Sequence, residues 1–357
     1  MRLAPHALPA AAGLIIACGG QKAPAPVVRL GSTADTVTSS YGEVTQGVWL
    51  GGRRWAVLAP ADQAVGVVDF ASRKIKTLGG VRGKEIRNPS TLFRAGDTLY
   101  VGDWGRRRTS LWTLDGRFVR AIPAADEVRG LLARARDDAG RYYFEVAQRP
   151  GPEGQGNGDS AAVVRTGPAL DHPDTLVRLA PLDIAQVESE GGRRFERRVF
   201  SGADCWGVLP DGAVWVARVY DNRVDWRDPK GTWIRGKPLP DRVLEVTRYD
   251  RELFLRRFPP ELRSTAEQLP FAPIKPPFEA GFTSPVGEVW LEKSRAPADS
   301  ARRYHVVDRQ GKLIREIQLT GRGRILAAGD SAVLAAEPSR EGARLMRVAL
   351  PAVAANP

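Results

Sequence analysis

Histidine is scarce enough to limit acid–base chemistry from the outset. Three histidines occur among 357 residues. His6 falls in an apolar leader, His172 in the turn Asp171-His172-Pro173, and His305 alternates within the strand-like run Tyr304-His305-Val306-Val307. No paired-histidine zinc spacing, glycine-rich phosphate loop or serine-centred elbow is present, so zinc-activated water and a histidine-assisted nucleophile both lack their residues. Polar chemistry gathers instead directly after apolar, strand-like runs. Asp103, Trp104 and Arg107 follow Leu99-Tyr100-Val101; Tyr220, Asp221 and Arg223 follow Ala213 to Ala217; Glu292 and Lys293 follow Val289-Trp290-Leu291. Aromatic faces beside guanidinium, ammonium and carboxylate groups suit recognition of an anionic glycan or a peptide carboxylate. These eight form the candidate binding set; no catalytic residue, metal ligand or cofactor is implied.

The two cysteines stand apart and have different surroundings, which argues against a disulfide framework or a metal cluster. Cys205, in Ala-Asp-Cys-Trp-Gly, reads as a small buried hydrophobe beside a strand. Cys18 ends a leader in which Arg2 precedes an apolar stretch from Leu8 to Ala17, the layout of a secretory signal that is too short to span a bilayer. Ile15-Ile16-Ala17-Cys18 resembles the bacterial lipobox. That resemblance implies cleavage after Ala17, a diacylglyceryl group on the Cys18 thiol and acylation of the new amino terminus. Several acyl chains anchor stably where one holds only marginally. Gly19 stands where many inner-membrane lipoproteins carry Asp, so the resemblance points to the outer membrane of a bacterial cell envelope. Residues 18–26, rich in Gly and Pro, read as a flexible tether.

A hydrophobic share of 43% and a charged share of 26% describe a soluble globular body. The net charge of +12 is spread along the chain and accompanies no nucleic-acid motif, so a solvated basic surface is expected and nucleic acid is not a partner. The expected partners are the membrane, through the lipid on Cys18, and a protein or glycan.

These residues need a scaffold, and the chain supplies a repeat. A glycine turn, an apolar run rich in Trp, Tyr and Val, a second strand, an Asp-Gly-like turn and a third strand recur from Gly52, Gly96, Gly140, Gly212, Gly287 and Gly329. Repeats of about 40 to 50 residues with several short strands each are the signature of propeller blades. Two intervals are long. The third unit gains a loop at 149–158 and a hairpin tip at 188–192, and the fourth gains a helical stretch at 247–269, opened by a Thr247–Asp250 capping box with Leu253, Phe254 and Phe258 on one face. The expected fold is therefore all-β: a six-bladed β-propeller over 27–351 with a small helical insertion, preceded by a signal peptide (1–17) and a short tether, and followed by a tail (352–357). The apolar run Ala213 to Ala217 is expected to be an inner strand, and Val27-Val28-Arg29-Leu30 is expected to complete the last blade.

The stretch from Gly79 to Pro89, followed by Leu99-Tyr100-Val101-Gly102-Asp103, resembles the NHL-repeat pattern, in which a Gly-rich turn and a Pro precede a strand ending in Val-x-Asp. The resemblance places the chain with NHL-repeat-like propeller lipoproteins and implies fold far more than function. The lack of catalytic residues, together with the lipobox, favours a membrane-anchored extracytoplasmic binding or scaffold module over an enzyme. The alternative is a metal-dependent hydrolase similar to gluconolactonases, which hold a divalent cation with Glu, Asn and Asp. Asn88, Asn157 and Asn222 are the asparagines available for that role.

Overall fold

A computed structural model describes residues 25–31, 34–79, 86–147, 160–189 and 192–351. The leader, Cys18, the loop at 149–158, the turn residues 80–85, the hairpin tip at 190 and 191 and the tail lie outside the described residues.

The described strands form six antiparallel blades, each a four-stranded meander lettered A to D from the centre outwards. Blade 1 comprises Gln46–Gly51, Arg54–Ala59, Ala64–Asp69 and Lys74–Thr77; blade 2 comprises Pro89–Ala95, Thr98–Asp103, Arg108–Thr113 and Phe118–Pro123. Blade 3 comprises Ala135–Arg136, Tyr142–Val146, Ala162–Thr166 and Asp174–Arg178; blade 4 comprises Cys205–Val208, Val214–Arg218, Arg223–Arg227 and Trp233–Ile234. Blade 5 comprises Phe278–Thr283, Val289–Lys293, Ala301–Val307 and Leu313–Thr320. Blade 6 comprises Arg324–Ala328, Ala332–Ser339 and Gly342–Ala349, with Ala34–Ser39 as its strand D. The A strands touch in sequence around the ring, blade 6 meeting blade 1, so the chain is a closed six-bladed β-propeller.

Burial follows the blade stacking. Each of the six buried apolar clusters lies between two neighbouring blades. The junction of blades 4 and 5 is rich in tryptophan: Trp215 donates its indole N–H to Thr283 Oγ1 at 2.7 Å, and Trp226 donates to the Asp308 carbonyl at 2.9 Å. These partners spare two buried indole N–H groups from going unmet, and replacing a buried Trp by Ala typically costs about 3–5 kcal/mol. The junction of blades 3 and 4 is the smallest, holding Val163, Leu179 and Val216.

The repeat glycines fall in the A-to-B hairpins. Gly52, Gly96, Gly140, Gly212 and Gly287 all have positive φ there, a conformation that a side chain would strain. The apolar runs that follow them are consequently B strands. Ala213 to Ala217 belongs to strand B of blade 4, and the inner strand is Cys205–Val208, one strand nearer the axis than expected. Gly207 in this strand is kept small by its cross-strand neighbour Trp215. A Cβ on Gly207 would lie 2.7 Å from the Trp215 indole nitrogen.

Closure also differs from expectation. Ala34–Ser39 pairs antiparallel with Gly342–Ala349 and completes blade 6, with Val37 and Ser39 turned inwards. Asp35 pins the join through Arg53 of blade 1 at 2.7 Å and Arg347 of blade 6 at 3.4 Å. Val27–Leu30 instead adds a fifth strand to blade 5, parallel to Leu313–Thr320.

Two excursions interrupt the ring. A hairpin, Ile184–Ser189 with Gly192–Arg197, follows blade 3, and two helices, α1 (Arg248–Leu255) and α2 (Pro260–Glu267), follow blade 4. The Thr247–Asp250 capping box starts α1. Phe254 and Phe258 face inwards, their rings 5.2 Å apart, whereas Leu253, about 100° round the helix from Phe254, is turned to solvent. Among the described residues no helix is long and apolar enough to cross a membrane.

Candidate functional site

In an antiparallel meander the B-to-C loops and the connections from strand D to the next strand A emerge at one end of the ring, here called the mouth. Both excursions are D-to-A connections, so both crowd the mouth. Between them, over blades 4 and 5, lies a cavity of about 490 Å³.

Each excursion contributes part of its wall. Arg197 comes from the end of the hairpin, Phe200 and Ser201 from the link to blade 4, and Arg257 from the turn after α1; Lys275, Phe278 and Glu279 lead into blade 5, and Ser294 follows its strand B. Arg197 donates to Ser201 through Nε at 3.2 Å and through Nη2 to the Ser201 carbonyl at 3.1 Å. Among the described residues neither Arg197 nor Arg257 has a carboxylate partner. Lys275 is different: its ammonium bonds Asp250 at 2.6 Å and the Arg295 carbonyl at 2.8 Å. Ser294 is only 3% exposed, and its hydroxyl has no hydrogen-bond partner.

Two further features shape the chemistry. Protein surrounds the water-accessible Glu279 carboxyl; this burial, and then the charge of Glu292, hold its pKa above the ordinary range against the pull of Arg302, Arg324 and Arg295. Phe200 has φ of 64°, a left-handed conformation that is a genuine outlier for a bulky side chain. Its ring is held by Phe254 at 5.9 Å and Phe271 at 6.1 Å, with the Lys275 ammonium 6.0 Å away. Cys205 also lines the cavity, but burial and then Asp204 push its thiol up to about 11, which keeps it protonated and unreactive.

The eight residues singled out from sequence all lie at or beside the mouth, in three places. On blade 2 the Asp103 carboxylate is buried, accepting from the backbone N–H of Arg87 (2.9 Å), Asn88 (3.0 Å) and Arg106 (3.2 Å), while Trp104 is 44% exposed and Arg107 points to solvent. On blade 4 Tyr220 is exposed with its hydroxyl on the Pro181 carbonyl, and Arg223 is held between Asp221 and Asp225. On blade 5 Glu292 is buried, taking Arg302 and Arg324 at 2.6 Å each. Lys293, also buried, pairs with Asp241 and donates to Asn222 Oδ1 at 3.2 Å. That bond joins the blade 4 and blade 5 groups; the blade 2 group is separated from them by blade 3.

The same bond bears on cation binding, because the Lys293 ammonium already occupies Asn222 Oδ1 and Asp241 Oδ2. Among the described residues no group of three or more His, Cys, Asp or Glu side chains is arranged to hold a metal ion. His305, close by, packs with Nε2 3.4 Å from Glu316 and is buried, as a structural residue would be; His172 is in an exposed turn.

Sequence reasoning missed Arg197, Phe200, Arg257, Lys275, Glu279 and Ser294. The available signal was the pair of long intervals between repeats. Once strand order is known, both insertions must rise at one end, beside each other.

No family model matches the chain, and no curated protein matches it by sequence. Solved structures with similar chain paths include regucalcin, a calcium-binding protein from Agrobacterium tumefaciens, at 11% identity over 91% of this chain and 97% of that one, with a TM-score of 0.45. A member of the duf4221 family from Bacteroides vulgatus is 10% identical over 88% and 95%, with a TM-score of 0.49. Virginiamycin B lyase from Staphylococcus aureus is 9% identical over 89% and 99%, with a TM-score of 0.46. The chain's own strand order and ring closure define its class, a six-bladed β-propeller.

Proposed function

We propose that the protein is a lipid-anchored, extracytoplasmic binding module that takes an anionic group of a protein or glycan partner into the mouth cavity. One observation carries this reading: Arg197 and Arg257 line a cavity of about 490 Å³ without a carboxylate to neutralise either of them. Guanidinium groups without a carboxylate partner are available to an incoming carboxylate, phosphate or sulfate.

Anchorage rests on Ile15-Ile16-Ala17-Cys18 and would place the protein in the bacterial envelope, at the outer membrane. The tether then has a direction. Val27–Leu30 runs parallel to strand D of blade 5, so the chain before Val27 arrives from the side of the Gln310-Gly311 turn, the end opposite the mouth. A propeller anchored in this way presents its mouth away from the membrane.

Cross-linking in intact cells tests the binding reading: a partner recovered with the native chain should be lost with Arg197→Ala/Arg257→Ala. Identical recovery by both would remove the mouth cavity from the function. Cys18→Ser should shift the folded propeller from the membrane fraction to the soluble one; retention in the membrane fraction would overturn lipid anchoring.

A further inference from the structure

We propose that the mouth cavity holds a uronic-acid unit of an acidic glycan, with its carboxylate on Arg197 and Arg257, its hydroxyls on Ser294 and Glu279, and its apolar face on Phe200. The inference rests on the anion-binding reading above and narrows it to one ligand class.

Two arginines alone would suit any anion. Glu279 on the same wall discriminates between anions, because a compact anion such as phosphate presents acceptor oxygens on every side and would meet a carboxyl where it needs a donor. A uronic acid carries its charge at one edge and hydroxyl donors at the others. It can therefore satisfy the guanidinium groups and the Glu279 acceptor together.

Ser294 supplies an independent observation. A buried hydroxyl without a partner is uncommon and costly, and this one lines the cavity. A ligand hydroxyl, both donor and acceptor, satisfies it, whereas an apolar ligand leaves it stranded.

Phe200 supplies another. Backbone strain of this kind persists where the surroundings over-determine it, and it concentrates at functional sites. Here the strain places an aromatic ring on the cavity wall and the Phe254–Phe271 cluster holds it there. The C–H face of a pyranose packs against the electron-rich face of such a ring. A peptide terminus is captured characteristically by runs of backbone N–H groups, whereas the polar groups offered here belong to side chains.

Titration calorimetry on the full chain in detergent provides the test, with trimers of galacturonate and mannuronate, the methyl ester of the galacturonate trimer, and trialanine as probes. At least one uronate trimer should bind. If it is the galacturonate trimer, esterification should weaken binding about tenfold or more. For the uronate that binds, Arg197→Ala and Arg257→Ala should each weaken binding about tenfold, and Ser294→Ala about threefold. Thermal melts of the same variants show whether each is folded, and Phe200→Leu probes the ring with the apolar packing largely kept. Binding of trialanine without either uronate overturns the sugar assignment but leaves an anion-binding mouth. Failure of every probe overturns both readings.

Discussion

Lys275 Nζ lies 2.6 Å from Asp250 Oδ1, a buried ion pair that fixes helix α1 to the segment leading into blade 5. The other oxygen of the same carboxylate accepts from the Thr247 backbone N–H and hydroxyl, so one side chain both starts the helix and docks it. Burial works against the charge of Asp250, and the Lys275 and Thr247 hydrogen bonds overcome it, holding its pKa below the ordinary value. The wall of the mouth cavity depends on this pair.

Lys275→Met should therefore destabilise the protein by about 3–5 kcal/mol, because it leaves a buried carboxylate without its cation. Removing both charges in Lys275→Met/Asp250→Leu should cost less than the sum of the two single changes. Urea midpoints of the four proteins measure the coupling, and strict additivity would show that the pair contributes nothing.

Asp103→Ala should lower stability by about 1–3 kcal/mol by leaving three backbone N–H groups without their acceptor. Ligand affinity at the mouth cavity should not change, since Asp103 stands on blade 2 and the cavity on blades 4 and 5. Calorimetry on this variant separates its structural role from a binding one; a weakened ligand with an unchanged melt would reverse the assignment.

His305 is held neutral by burial and then by the Lys293 ammonium, against Asp241 and Glu316, so its folded pKa lies below its ordinary value of 6.5. The unfolded chain takes up this proton first as pH falls. Stability should consequently decline below pH 6.5, by up to about 1.4 kcal/mol per pH unit for one proton. Melting temperatures of the native chain and His305→Gln between pH 7 and 5 should diverge in slope. Parallel curves would show that His305 does not titrate against folding.

Glu279 has the opposite sign. Its raised pKa means that the contribution it makes to stability in its neutral form is present below the ordinary value of 4.5 and lost as pH rises through the folded value. Glu279→Gln should raise the melting temperature at pH 7, by a small amount because the carboxyl is open to solvent and its charge is screened. The gain should vanish near pH 4. A gain that persists there would indicate repacking rather than relief of charge.

The repeat was legible because turns and hydrophobic runs are local. Each A-to-B hairpin needs a residue tolerant of its backbone geometry, and each B strand, packed between two blades, must be apolar on both faces, as Ala213 to Ala217 is. The capping box of α1 was legible for the same reason, since Thr247 and Asp250 satisfy each other within one turn. Strand A was hidden because its sequences, such as Cys205-Trp206-Gly207-Val208, mix small and bulky residues to fit particular neighbours, as Gly207 fits Trp215, rather than follow a periodic pattern.

Tertiary structure alone decided closure and the cavity. Val27-Val28-Arg29-Leu30 is more apolar than Ala34-Asp35-Thr36-Val37-Thr38-Ser39, yet the latter completes blade 6. An outer strand needs only alternating burial, and Asp35 there meets arginines from blades 1 and 6. The cavity draws on Arg197, Arg257, Glu279 and Ser294, which no local rule relates. They converge because both insertions leave the ring at one end, and ring closure is a long-range property that residue types and spacings along the chain do not contain.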